Sequence, residues 1–351
     1  MKKYVICVNN GADRNAATKA RQDAEQILLS HGHEAILFQG ERTAAGSVCK
    51  QVNLIYQTIS SWVKMTKEVE PGSQIVMQYP FFPIKAVYLL RWLLPKVQKQ
   101  KNIRFYALIH DLNSLRGLYG KTAVYSDKHF LKLFDHIISH NSQMSAFLQN
   151  KGIPAEKLTE LTVFDYLTDA IPQEHHIRDG ITIAGNLDMN KSGYLLSLAQ
   201  SVSLPIHLYG KGLDEDKLAI NIQYHGSFHP NELPGKLEGG FGLVWDGQSS
   251  NGCEGPTGTY LRYNNPHKLS LYLAAGMPVI IWKEAAEAAF VKENGVGLLI
   301  DDLTQIDELV REVAEEQYKQ MIKQAQLIGQ KVREGYYLSS VLEKVAQEAM
   351  R

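Results

Sequence analysis

The chain has 351 residues, 44% of them hydrophobic and 21% charged, with Lys+Arg and Asp+Glu balanced at 37 each. That length supports about two domains of roughly 150–200 residues. A formal net charge of zero excludes a global field for nucleic acid or an anionic membrane and leaves only local basic patches open. Three scattered cysteines (Cys7, Cys49 and Cys253) form neither a zinc pattern nor a disulfide framework and fit a reducing compartment. Tyr4–Val8 is too short for a signal peptide or a span, and the apolar segment Phe81–Leu94 is interrupted by Lys85 and Arg91. A cytoplasmic protein is expected.

In chain order, Tyr4–Val8 reads as a buried strand that stops at Asn9-Asn10-Gly11. A helix over about Ala16–Ser30, ended by Gly32, precedes a strand at Glu34–Phe38. Next come a helix from Val48 to about Lys67, a strand at Gln74–Gln78, and a helix over Ile84–Gln98 opened by Pro80 and Pro83. Ile103–Ile109 is a fourth strand, ending in His110-Asp111. Asp127–Phe134 predicts a helix, His136–Ser139 a short strand, and Asn141 or Ser142 caps a helix over Gln143–Asn150. Asp165–Gly180 is polar and reads as a linker. A second series has strands at Ile181–Ala184, Ile206–Tyr209, Ile222–Tyr224, Gly242–Trp245, Pro278–Trp282 and Gly297–Ile300. Helices of about Lys191–Ser201, Glu232–Glu238, Pro266–Ala275, Ala285–Glu293 and Ile306–Ala325 accompany them, and the tail from Gly329 predicts one or two more. Strands alternating with helices indicate an α/β fold with parallel sheets covered on both faces.

In open parallel sheets, ligands bind beyond the carboxyl ends of the strands. The residues to inspect are therefore Asn9-Asn10-Gly11, Tyr79-Pro80 and His110-Asp111 in the first half. In the second they are Gly185-Asn186, Gly210-Lys211, Gly226-Ser227, Asp246-Gly247 and Lys283. Two such domains facing each other would bring both sets to one cleft.

The run from Asn264 to Ile281 organises the rest. Asn265 suits an N-cap, Pro266 the first helical position, and Gly276 the helix end. His267 and Lys268 then occupy the first turn, where the helix dipole disfavours positive charge by roughly 0.3–1 kcal/mol. An anion in front of them resolves that conflict; the alternative is a solvated Lys and a packed His. Ile181–Lys191, with Gly185, Asn186 and Lys191, has a strand–Gly turn–helix form that lets N–H groups approach a phosphate, but no GxGxxG. Tyr209 either stacks on a base beside Gly210 or packs next to a tight turn. Asp246 accepts from a sugar hydroxyl or caps the Gly-rich stretch Gln248–Thr259, which reads as a mobile flap. His110 and Asp111 are the acid–base candidates, against the reading of a strand-end cap. Asn9, Asn10 and Thr18 are placed to meet an acceptor. Arg178, in the linker, reaches a phosphate or lies exposed. His175 and His176 lack the spacing of a metal site, and no nucleophile-elbow, Walker, zincin or kinase pattern occurs.

Pro266–Ile280, with its Lys and its Leu-Tyr-Leu-Ala-Ala-Gly run before Pro-Val-Ile, resembles the donor-binding signature of GT-B glycosyltransferases. The Ala184–Lys191 loop, the Gly242–Asp246 strand end and Leu108–Leu112 resemble its companion elements. Over the whole chain, including Lys19–Asp23, the sequence is most similar to the streptococcal accessory glucosyltransferases that act on serine-rich-repeat adhesins. This resemblance implies two Rossmann-like domains around a central cleft: an acceptor domain at 1–165, a linker at 166–180, and a donor domain at 181–329. A terminal helix at 330–351 would pack back on the first domain. It implies UDP-glucose as donor, O-linked N-acetylglucosamine on the adhesin as acceptor, and a homo-oligomer with no membrane span and no nucleic-acid partner. Asn186, Tyr209, Tyr263, Asn264, Asn265 and Lys268 would hold uridine and diphosphate, with Asp246 nearer the sugar. No cofactor or metal is expected, since no DxD motif stands out and Lys268 with its helix would meet the departing diphosphate. One departure is Leu271, where many GT-B enzymes carry a ribose-binding Glu. A GT-B-fold UDP-sugar epimerase and a non-catalytic partner subunit are the rival functions.

Overall fold

The computed structural model describes residues 2–8, 16–38, 48–81, 84–213 and 220–348. These fall into two compact units, one holding the chain up to Leu161 and again from Leu338, the other Thr162–Tyr337.

In the first unit, β1 (Lys3–Val8), β2 (Glu34–Phe38), β3 (Gln74–Tyr79), β4 (Arg104–Ile109), β5 (His136–Ser139) and β6 (Leu158–Glu160) form a parallel sheet. Its order is β2-β1-β3-β4-β5-β6, so the topological switch lies between β1 and β3. Helices α1 (Ala16–Ser30), α2 (Val48–Glu68), α3 (Val87–Lys101), α4 (Gly120–Tyr125) and α5 (Ser142–Asn150) connect the strands. Asn141 caps α5, its side chain accepting from the Met144 amide at 3.0 Å. The core is aromatic: Trp62 of α2 meets Phe38 edge-on at 5.5 Å and Phe105 at 5.9 Å.

The helix expected over Asp127–Phe134 starts earlier, at Gly120, and continues through a π-turn at Ser126–Phe130 and a 3₁₀ turn at Leu131–Leu133. The widened turn coincides with burial of Ser126 and Asp127, both bonded to the Tyr79 hydroxyl at the end of β3.

The second unit contains β7 (Ile181–Asn186), α6 (Met189–Ser192), α7 (Tyr194–Ser201), β8 (Ile206–Lys211), β9 (Ile222–Tyr224) and β10 (Phe241–Val244). It continues with α8 (Gly255–Thr259), α9 (His267–Ala274), β11 (Val279–Trp282), α10 (Ala288–Glu293) and β12 (Gly297–Ile300). The sheet order β9-β8-β7-β10-β11-β12 is the doubly wound Rossmann order, with its switch between β7 and β10. The single helix expected over Ile306–Ala325 is two: α11 (Ile306–Glu312) and α12 (Glu315–Glu334), separated by extended backbone at Val313 and Ala314. After Gly335, whose φ of 76° ends α12, the chain enters α13 (Tyr336–Glu348), which crosses from the second unit into the first.

Residues 166–180 lack regular structure yet are anchored in the second unit. Tyr166 and Ile177 are in its core, the Tyr166 amide donates to Val332 at 3.0 Å, and its hydroxyl donates to Pro230 at 2.7 Å. Among the described residues, no helix is long and apolar enough to cross a membrane.

Candidate active site

The switch point of the second unit is where charged side chains converge. Helix α9 is drawn hard against the sheet because Gly242 of β10 has no side chain; a Cβ there would lie 2.2 Å from the Tyr272 ring. The Tyr272 hydroxyl accepts from the Ala184 amide of β7 at 2.9 Å. On the other side of α9, Gly329 of α12 lets the two helices approach, since a Cβ there would meet the Leu273 carbonyl at 2.0 Å. The first turn of α9 is thereby fixed over the ends of β7 and β10.

From that turn, the Lys268 Nζ donates to Asp246 Oδ1 at 2.8 Å and to the Trp245 carbonyl at 2.7 Å. Lys191 approaches the same Asp246 oxygen at 4.0 Å from α6, the short helix after β7. Lys268 and Asp246 are largely enclosed, with side chains 12% and 11% exposed, whereas Lys191 keeps 37%. Burial pulls the Lys268 pKa below its ordinary value, opposed by Asp246 and assisted by Lys191. Two ammonium groups thus share one carboxylate, leaving an excess positive charge at the mouth of the site.

The helix start differs from expectation by one residue. Pro266 is the N-cap, with extended backbone and no side-chain cap hydrogen bond. Asn265 is turned away from that role, its amide donating to the Thr162 carbonyl at 3.0 Å. His267 packs against Phe164 and Tyr166, with ring centroids 5.8 and 5.3 Å away. Tyr263 is half-buried beside them, and the Asn264 Oδ1 is buried with no partner among the described residues. Leu271 packs in the core and offers nothing to a ribose.

The loops flanking the cluster are laced together. Asn186 Oδ1 accepts from the Asp188 amide at 2.9 Å, and Asp188 caps α6. The Gly247 amide donates to the Lys191 carbonyl at 2.9 Å. Gly185 and Gly210 pair across β7 and β8, and a Cβ on Gly210 would fall 1.8 Å from the Gly185 carbonyl oxygen. The stretch Gln248–Thr259, expected as a mobile flap, is fastened: Gln248 donates to the Met189 and Asn190 carbonyls, Trp245 to Ser249, and α8 occupies its end. Beyond β11 and β12 a polar depression of about 480 Å³ opens, with Arg262, Trp282, Lys283 and Asp301 among its walls and neither Lys268 nor Asp246.

Two expected ligand contacts lie elsewhere. Tyr209 is a core residue, 1% exposed: His225 stacks on its ring at 4.5 Å and its hydroxyl donates to the Lys236 carbonyl, so no face is open to a base. Arg178 is exposed three residues before β7, at the amino edge of the sheet, opposite Gly185 and Lys268. His207, His225 and Glu238 bring ligand atoms within 4.8 Å of one another, at the start of β8 and away from Gly210.

In the first unit, His110 and Asp111 follow β4. Gln78 Nε2 donates to Glu25 Oε1 at 2.9 Å, which turns Gln78 Oε1 toward His110 Nε2 at 2.6 Å. An amide oxygen only accepts, so His110 carries its proton on Nε2 and its lone pair on Nδ1. Asp111 accepts from Arg116 at 2.8 Å. Arg21 braces the turn after β3 by donating to the Gln78 and Pro80 carbonyls. Thr18 is buried on α1, and Asn9 and Asn10 lie outside the described residues. The Glu25–Gln78 relay was not singled out from the sequence; its signal is a glutamine next to the carboxyl end of a strand whose middle, Ile75–Met77, is apolar.

Residues 2–163 match the family described as glucosyltransferase 3-like, N-terminal domain, and residues 181–345 match its C-terminal domain. The chain is 35% identical to the β-1,6-galactofuranosyltransferase WbbI of Escherichia coli strain K12, over 98% of each chain. It is 23% identical to glucosyltransferase 3 of Streptococcus parasanguinis, over 100% of this chain and 99% of that one. Among solved structures, Anabaena Alr3699/HepE in complex with UDP and glucose superposes with a TM-score of 0.64 at 11% identity, covering 99% and 100% of the two chains.

Proposed function

Because the chain belongs to the glucosyltransferase 3-like family of GT-B glycosyltransferases, we propose that it transfers a hexose from a UDP-activated donor to a sugar hydroxyl. One observation carries this reading: Lys268 and Lys191 converge on Asp246 in front of an uncapped helix start, at the switch point of a Rossmann sheet. Such a site suits a diphosphate, which would draw both ammonium groups from the carboxylate they share. Asn186 and Asn264 are the polar groups left to orient the uridine.

In the step itself, the acceptor oxygen forms a bond to the anomeric carbon while the bond from that carbon to the diphosphate breaks. The electron pair leaves with UDP, where Lys268, Lys191 and the first-turn amides of α9 stabilise it. For inversion, a general base takes the acceptor proton; His110, oriented through Gln78 and Glu25, is the candidate in the first unit. No cofactor enters this scheme, and the two lysines supply the positive charge.

UDP-glucose as donor is in keeping with the glucosyltransferase 3-like description, and an O-linked N-acetylglucosamine on a serine-rich-repeat adhesin is the acceptor that the sequence resemblance implies. The 35% identity to a galactofuranosyltransferase over nearly the whole chain favours a second reading, with UDP-galactofuranose as donor and another glycan as acceptor. Calorimetry with UDP, UDP-glucose and UDP-galactofuranose tests the site. Binding of UDP and of one UDP-hexose, weakened at least tenfold by Lys191→Met, is expected. Absence of UDP binding would overturn the reading.

A further inference from the structure

Helix α3 buries Val87, Leu90, Leu94 and Val97 and turns its other face outward. On that face Tyr88 and Trp92, one turn apart, are 44% and 70% exposed. Tyr125 extends the surface from α4: its ring lies 4.7 Å from Tyr88, and its hydroxyl accepts from Arg91 at 2.6 Å. Leu118, Tyr119 and Val124, before and within α4, are exposed as well.

The charge around this surface is predominantly positive, the exposed Asp135, which accepts from Gln98 near the far end of α3, being the nearby exception. From Ile84 to Lys132 the sequence carries ten Lys and Arg but only two Asp, in a chain whose net charge is zero. Asp111 is paired with Arg116, and Asp127 is buried, bonded to Tyr79 and to the Ser114 amide. Lys85, Arg91, Lys96, Lys121 and Lys128 are all exposed.

We propose that this face of the first unit docks the protein on an anionic lipid surface. Exposed Trp and Tyr among Lys and Arg is the composition of an interfacial anchor: rings settle at the headgroup level and cations meet lipid phosphates. The complementarity calls for an acidic partner, and two features favour a bilayer over a single-stranded nucleic acid. Tyr88 and Tyr125 already face each other, with the Arg91 guanidinium 5.5 Å from the Tyr125 ring, so those faces are not presented to bases. Leu118 and Val124 add aliphatic surface, which acyl chains accept and base stacking does not use. Attachment is peripheral, and it does not rest on the donor or acceptor assigned above.

The full chain supplies its own reporter, because Trp92 is exposed whereas Trp62, Trp245 and Trp282 are buried. Co-sedimentation and tryptophan emission are measured with vesicles of phosphatidylcholine alone and with added phosphatidylglycerol. Binding to the anionic vesicles only, reversed by high salt and accompanied by a blue shift that Trp92→Phe abolishes, is the expected result. A Lys121→Glu/Lys128→Glu variant, altered only at exposed positions, should bind at least about tenfold more weakly. Equal binding to both vesicle types, or to neither, overturns the proposal. So does a preference for a single-stranded oligonucleotide, or self-association that Trp92→Ala removes while vesicle binding is absent.

Discussion

The Lys268 ammonium sits 2.8 Å from Asp246 Oδ1, and the same oxygen lies 4.0 Å from Lys191. A carboxylate with two cations is a site waiting for a second anion. Lys268→Met should therefore lower turnover about 100-fold or more, the effect of removing one preorganised donor from a developing negative charge. Steady-state kinetics with thermal melting checks this. Unchanged turnover in a folded variant would remove Lys268 from leaving-group stabilisation.

His110 and Asp111 are neighbours in sequence with different surroundings. His110 is oriented by Gln78, whereas Asp111 is held by Arg116. His110→Gln should reduce turnover by about 10²–10⁴, as expected for loss of a general base, and Asp111→Asn by only about threefold. Gln78→Ala should fall between them. A larger loss from Asp111→Asn than from His110→Gln would reverse the assignment.

Gly242→Ala tests the packing that places α9. Its Cβ would lie 2.2 Å from the Tyr272 ring, in a core with no room to yield. A loss of about 1–3 kcal/mol or more is expected in urea unfolding, together with weaker UDP binding. Full stability would mean that Tyr272 can move without displacing the helix.

His140 is buried, its Nε2 donating to the Ile109 carbonyl at 3.1 Å, and burial pulls its pKa down to about 3. His33 is likewise pulled to about 4 by burial. The unfolded chain takes up these protons near pH 6.5, while the folded chain holds them off until pH 3–4. The unfolded state therefore binds more protons in that window, and stability is fully present above about pH 6.5 and falls below it. The loss approaches about 1.4 kcal/mol per pH unit for each histidine. Urea unfolding near pH 7 and near pH 5 should show a smaller acid loss in His140→Gln than in the parent. An equal loss would place the effect elsewhere.

Much of the architecture was legible because the strands are short apolar runs and Gly or Asn marks the helix ends. The run from Pro266 to Ile281 showed both the helix and the strand, and its misfit between dipole and basic first turn pointed to Lys268. What stayed hidden depended on partners distant in sequence. Tyr209 ends a strand, but which face it takes follows from His225 and the backbone around Lys236. The break between α11 and α12 carries no Gly or Pro; its available signal was Glu315-Glu316, acidic residues suited to a new helix start. Leu158–Glu160 is too short to show a period, and the early start of α4 follows Tyr119 in left-handed conformation, which a Gly-rich loop does not announce.

The most direct measurement is UDP release from UDP-glucose and UDP-galactofuranose, with and without N-acetylglucosamine-bearing peptide and glycan acceptors, read alongside the acceptor's mass. Release that depends on an acceptor, a hexose added to that acceptor, and activity that persists in EDTA are the expected results. An altered UDP-sugar without any acceptor would instead make the protein an epimerase. Acceptor binding with no release from either donor would contradict catalysis altogether.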